Sequence, residues 1–358
     1  MKICAINGSP RKRGNTACLL SWALDGVKNA REDAETELIN LYDLSFTGCR
    51  SCFSCKRVNG PSYGRCAVKD DLAPVLGKLA DADGVILGSP VYFMGLSGMM
   101  RCFLERWLYP YLVYDAARSS IAPKRMATAM FYTMNVTEEQ AGAAGLPALL
   151  RPMENFVERI FTRPYVLWCY DTLQFRDYSD YVAPVFDEAH KQQHREECFP
   201  MDLKEAFEVG HHMALGELRE FDEHAREHHH HDHDHEDDDD HDEHEHHHHD
   251  EDGHCSCGHH HHHHDHDADE VFTSWGVETA KKFSKADIEH ALTELDGGKY
   301  GMILRSKGIV DGGADGWLEF DYVPGEWEVR QRGADVGGKL VVIGSKLDEK
   351  AIAALFGC

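Results

Sequence analysis

Four cysteines stand close together in the stretch GCRSCFSCKRVNGPSYGRC. Cys49, Cys52, Cys55 and Cys66 are spaced C-x2-C-x2-C-x10-C. Three thiolates at this compact spacing can wrap one face of an iron–sulfur cubane, and a fourth within reach completes the ligand set. A Cys4 zinc site would use the same residues, as would a loop of thiols that binds nothing. A second chemical stretch, INGSPRKRGNT, offers hydroxyl and amide donors at Ser9, Asn15 and Thr16 and charge at Arg11 and Arg13. It follows a strand-like run and opens a helical pattern, so helix N–H groups and loop side chains could wrap a phosphate. It is neither a Walker A loop nor a G-x-G-x-x-G turn, and an ordinary strand-to-helix turn would also fit. The third stretch is GSPVYFMG, where Pro90, Val91, Tyr92, Phe93 and Gly95 could give a flat aromatic ligand backbone donors and an apolar wall.

A fourth stretch is unlike the rest. Residues 222–270 hold 21 of the 26 histidines and carry a local charge of −19, out of −25 for the whole chain. Imidazole and carboxylate together suit zinc, nickel or cobalt. His254, Cys255, Cys257 and His259 add thiolates to imidazoles within one short run. No fixed spacing is visible, so the tract reads as an ion collector that is disordered without ligands. A solvated acidic linker is the plainer alternative. The rest of the chain is close to neutral and has no basic stripe, which argues against nucleic acid. No run of 18 apolar residues could span a membrane, and MKICAING lacks the build of a signal peptide. The expected compartment is the cytoplasm, where grouped cysteines serve metal or redox chemistry rather than disulfides.

The elements that must position these residues follow from periodicity. KICAIN, ETELINL, DGVILGS, RMATAMFYTM and PYVLWCY read as five strands. Helices are expected over 16–30 (Leu19, Ala23, Leu24 and Val27 inward), over DLAPVLGKLADA, over 97–108 (Met100, Phe103, Leu104 and Trp107 inward) and over 202–221. Strands alternating with helices predict an α/β, doubly wound parallel sheet over 1–221, with its ligand at the carboxyl ends of the strands. Cys4, Cys18, Cys102 and Cys169 fall on these elements and read as packing residues. WLYPYLVY (107–114) suits either core or an interface. Beyond the linker, 271–358 reads as a small α+β domain: a strand at EVFTSWGVET, a helix capped by Ser284, four more strands, and a last helix from Glu349.

Taken together, GSPRKRGNT and SPVYFMG, with YTMN (132–135) as a third loop, resemble the flavodoxin-like NAD(P)H-dependent FMN reductases over about 1–220. The resemblance implies FMN bound through Ser9, Arg11, Arg13, Asn15, Thr16 and the 90–95 loop, with NAD(P)H as co-substrate and self-association into a homo-oligomer. The flavin does the redox chemistry, so no catalytic side chain is implied. The cysteine loop resembles that of the iron–sulfur flavoproteins, a branch that binds [4Fe–4S] after its second strand, although the last gap is longer here. EVFTSWGVET, RSKGIV, GWLEFDYVPGEWEVR and KLVVIGSKLDE resemble the C-terminal domain of CobW-type metallochaperone GTPases. No GTPase accompanies it: GADVGGKL (333–340) lacks the final Ser/Thr, and it reads as a hairpin turn. The expected whole is an FMN oxidoreductase tethered to a metal-binding linker and a metal-handling module, delivering electrons to a small molecule, a metal ion or a metalloprotein client. A metal store with a docking module and a carrier between protein partners are the rival readings.

Overall fold

The computed structural model describes every residue except 176, 224–271, 298, 314–315 and 334–336. In chain order the first domain comprises β1 (Lys2–Asn7), α1 (Asn15–Ala30), β2 (Glu35–Asn40), α2 (Leu72–Asp81), β3 (Gly84–Tyr92), β4 (Gly95–Leu96), α3 (Gly98–Leu108), β5 (Ala127–Thr133), α4 (Glu138–Ala143), α5 (Leu146–Ile160), β6 (Tyr165–Cys169), α6 (Glu188–Glu197) and α7 (Phe199–Leu215). Five parallel strands run in the order β2-β1-β3-β5-β6, and β4 folds back antiparallel on β3. This is the flavodoxin-like order, with its switch point between β1 and β3.

Strand alternation divides the core. Cys4 and Ile6 of β1, Val85 and Leu87 of β3, and Met130 and Tyr132 of β5 face α2, α3 and α5. Ile3, Ala5, Ile86, Ala129 and Phe131 face α1 and α7. Burial on both faces explains the near-continuous apolar runs of these strands. The inward residues expected on α1 and α3 are all buried. Cys4, Cys18 and Cys169 are core residues, but Cys102 is only half-buried, because its side of α3 faces the cysteine loop. Trp107, Leu108 and Tyr111 are core too, whereas Tyr114 is exposed.

Three helices went unseen in sequence. In α5 the buried stripe contains Glu154, which accepts from Tyr132 Oη at 3.3 Å and pairs with Arg151 at 3.2 Å; its charge and Pro152 hide the apolar period. Helix α4 is one capped turn and α6 is almost wholly polar. Helix α7 begins at Phe199, three residues before the expected Asp202, because Pro200 fits the first turn. It stops at Gly216, whose φ of +83° is the left-handed cap glycine favours.

The second domain has β7 (Phe272–Thr279), α8 (Lys285–Leu295), β8 (Met302–Asp311), β9 (Trp317–Val323), β10 (Glu326–Arg332), β11 (Gly338–Ser345) and α9 (Glu349–Phe356). Its antiparallel sheet runs β10-β9-β8-β11-β7. Ser284 caps α8, whose Ile288, Ala291, Leu292 and Leu295 enter the core as expected. The hairpin expected at 333–340 is not one: β10 is an edge strand and β11 lies between β8 and β7, so this connection crosses the sheet. All but the first two residues of the His/Asp tract, with His254, Cys255, Cys257 and His259, lie outside the described residues. Among the described residues no helix is long and apolar enough to cross a membrane.

Helices α1 and α7 cross at a pair of glycines. A methyl group on Gly210 would overlap the Ala23 carbonyl, and one on Gly26 would overlap that of Phe207. Gly210→Val should therefore push the helices apart and cost about 3 kcal/mol. A urea titration of the variant against the parent chain measures the loss.

Candidate functional site

Gly8 N donates to Gly88 O at 2.8 Å, bringing the end of β1 against β3. Ser97 Oγ donates to Gly8 O at 2.6 Å and Ser97 N to Ser89 Oγ at 3.0 Å. These bonds tie the 8–14 loop to the 90–97 segment at one edge of the sheet. The loop's inner residues are fixed: Asn7 Oδ1 accepts from Ser9 N at 2.9 Å, and Ser9 Oγ accepts from Arg11 N at 3.1 Å. Thr16 and Thr133 share a buried hydroxyl bond of 2.8 Å. Helix α1 begins at Gly14 with no side-chain cap and no acidic residue in its first turn. Its first N–H groups thus remain available to an anion.

The five residues expected around a phosphate divide on inspection. Ser9 and Thr16 are buried under the loop and Arg11 and Arg13 are exposed. Asn15 does something else. Its Nδ2 donates to Leu173 O at 3.2 Å and its Oδ1 accepts from Arg195 Nη1 at 2.8 Å, so its amide is largely committed to protein. Arg11 Nη1 likewise donates to Gln174 O at 2.7 Å. The segment after β6 therefore straps the loop from outside. Arg195 and Ser97 carry no local signal, because their partners lie 180 and 89 residues away, whereas Thr133 belongs to the expected YTMN loop.

Pro90 is buried, Val91 half-buried, and Tyr92, Phe93 and Met94 are exposed at the end of β3. Tyr92 pairs with Gly95 across a two-residue turn in which Phe93 has φ +48° and Met94 has φ +62°. Two left-handed residues make a type I′ turn, which normally takes Asn-Gly. Here bulky residues occupy it, and the Phe93 ring is fully exposed. Strain and exposed apolar surface thus lie together at the carboxyl end of a central strand.

The four cysteines line one small cavity with Phe53, Arg106 and Tyr109. Ser51 (φ +52°) and Phe53 (φ +54°) bend the loop on either side of Cys52. Hydrogen bonds from the Ser54 backbone and then its side chain hold the Cys52 thiol below its ordinary range, while burial pushes Cys55 up. Arg106, fully buried, donates from Nε to Cys66 Sγ at 3.1 Å and grips Asp70 with both terminal nitrogens at 2.6 and 2.9 Å. Among the described residues no three of His, Cys, Asp or Glu converge on one point. A single zinc ion would gather its sulfurs about 2.3 Å from one centre. A cubane would spread its thiolates over separate irons, and the cavity that the four cysteines share is what either site requires.

Replacing Phe93–Met94 by Asn-Gly should stabilise the chain by about 1 kcal/mol by relieving the turn, measured as a raised thermal midpoint. Arg106→Met strands Asp70 and should cost about 3 kcal/mol in urea. Hydrogen bonding from Arg106 holds the Asp70 carboxyl below its usual range. The pair's contribution is therefore present above the ordinary aspartate value of about 4 and is lost as pH falls below it. The penalty of the variant should shrink on acidification.

Residues 1–152 match the family model of NADPH-dependent FMN reductase, and 272–358 match that of the cobalamin synthesis protein cobW C-terminal domain. An iron-sulfur flavoprotein of Methanocaldococcus jannaschii is 42% identical over 106 residues, covering 30% of this chain and 51% of its own. One of Archaeoglobus fulgidus is 38% identical over 106 residues, covering 30% and 48%. The chain thus spans about half the length of these curated relatives. A solved NAD(P)H:quinone oxidoreductase from Methanothermobacter marburgensis overlays 59% of this chain and 98% of its own at 13% identity and a TM-score of 0.45. The chain is a fusion of a segment, 1–152, that matches the NADPH-dependent FMN reductase family and a segment, 272–358, that matches the cobW C-terminal domain.

Proposed function

We propose that this chain is an FMN-dependent NAD(P)H oxidoreductase that carries a [4Fe–4S] cluster on Cys49, Cys52, Cys55 and Cys66. The observation that carries the flavin reading is the Ser97 link, which joins an uncapped helix start to an exposed aromatic turn at one sheet edge. In this reading Ser9 and the first N–H groups of α1 hold the phosphate, and the Pro90–Gly95 segment walls the ring system. Bound FMN would supply hydride exchange with a nicotinamide, and the cluster would supply single-electron transfer. Arg106 steadies Cys66 through its N–H···S bond.

The His/Asp tract, by its composition, would hold divalent ions such as zinc, cobalt or nickel. Of these, cobalt suits reduction and zinc does not. The acceptor in this reading is a metal ion or small molecule, with a metalloprotein client downstream; the protein works in the cytoplasm as a homo-oligomer.

The full chain, purified without oxygen, should show flavin absorbance, contain about four iron atoms per chain, and lose its flavin bands on adding NADPH. Cys52→Ser should lose the iron and keep the flavin, and the Asn-Gly turn variant should bind FMN more weakly. Colourless protein, or flavin that NADPH leaves oxidised, would sink the reading.

A further inference from the structure

Helix α6 touches both the loop that starts α1 and the second domain. Its Lys191, buried, donates to Asn135 O and to Asp171. One turn later Arg195 holds Asn15. The next residue, Glu196, takes Arg305 Nη2 at 2.8 Å and Lys307 Nζ at 3.3 Å from β8, and its carbonyl takes Arg305 Nη1 at 2.8 Å. Asp321 of β9 holds Arg305 from the other side at 3.0 Å.

The turn between β9 and β10 reaches the phosphate loop itself. Pro324 O accepts from Arg195 Nη2 at 3.4 Å and from Cys18 Sγ at 3.4 Å. Gly325, with φ +82°, packs so near the loop that a Cβ would stand 2.7 Å from Arg13 O. Leu304 of β8 is buried in the core that α1 and α7 form. One arginine thus spans the two domains and the residue that opens α1.

We propose that the cobW-type domain is a docked brace on the phosphate end of the flavin site, so that its docking and the binding of the flavin's phosphate favour one another. This rests on the flavin reading above. Asn15 sits at the start of α1, where the phosphate would meet the helix. Releasing the turn takes from Arg195 its Pro324 contact, one of the bonds that set where it holds Asn15, while its stacking on Phe199 stays. Whatever binds only the docked arrangement strengthens it, and that coupling is reciprocal. The brace does not reach the other end of the site, because Tyr92, Phe93 and Met94 stay exposed in the docked form. Docking should therefore discriminate between flavins by their phosphate.

The test uses two variants of the full chain. Arg305→Glu sets a negative charge against Glu196, and Gly325→Ala forces a methyl group onto Arg13 O. Dissociation constants for FMN and for riboflavin, which lacks the phosphate, are read from flavin fluorescence, and X-ray scattering reports whether the domain is released. Each variant should extend the particle, weaken FMN about tenfold and leave riboflavin unchanged. Equal losses for the two flavins, unchanged FMN binding in a released variant, or variants that stay docked would each overturn the brace. A parent chain that binds neither flavin would sink the flavin reading and the brace with it.

Discussion

The register of β1 against β3 is the constraint on which the site depends. Asn7 lies opposite Gly88, so the two strands end together and their following segments leave from the same edge. The chain then turns away in opposite directions, to β2 on one side and β5 on the other. A crevice opens where the connections part. A slip of one residue would turn every side chain of β1 to the other face and separate Gly8 from Ser97. Gly8 and Gly88 permit this closeness: a Cβ on Gly8 would stand 2.9 Å from Met100 Cβ, and one on Gly88 2.7 Å from Leu20 Cδ1.

How much of this was legible in sequence depends on the range of the interaction. Strands buried on both faces and helices with an unbroken apolar stripe announced themselves, because a local period follows directly from geometry. The second domain was read almost element by element for the same reason. Helix α6 was silent because its partners are polar: Lys191, Arg195 and Glu196 each answer to a residue far away in the chain. The path of β10 to β11 was misread because closeness in sequence suggested pairing, whereas β8 and β9 already occupied the places between.

The cysteine loop shows the same division. Its spacing was plain, but the buried guanidinium that fixes Cys66 comes from α3, 40 residues later. A buried arginine without a partner would be costly, so Asp70 takes its fork and the carbonyls of Thr47 and Val68 take its remaining reach. The loop is thereby anchored at its two ends, while Cys49 and Cys52 stay exposed. An iron centre held this way would be firmly seated on one side and open on the other.

That openness bears on where electrons could leave. The second domain covers the α1 and α6 side of the first and leaves both the aromatic turn and the exposed cysteines uncovered. In the flavin reading proposed above, a domain that stays attached while a nicotinamide or an acceptor approaches the turn would sit beside Arg13 and Cys18, where the 324–325 turn lies. The strained, exposed Phe93–Met94 pair lies on that uncovered face, where its cost to folding is what a binding role would offset.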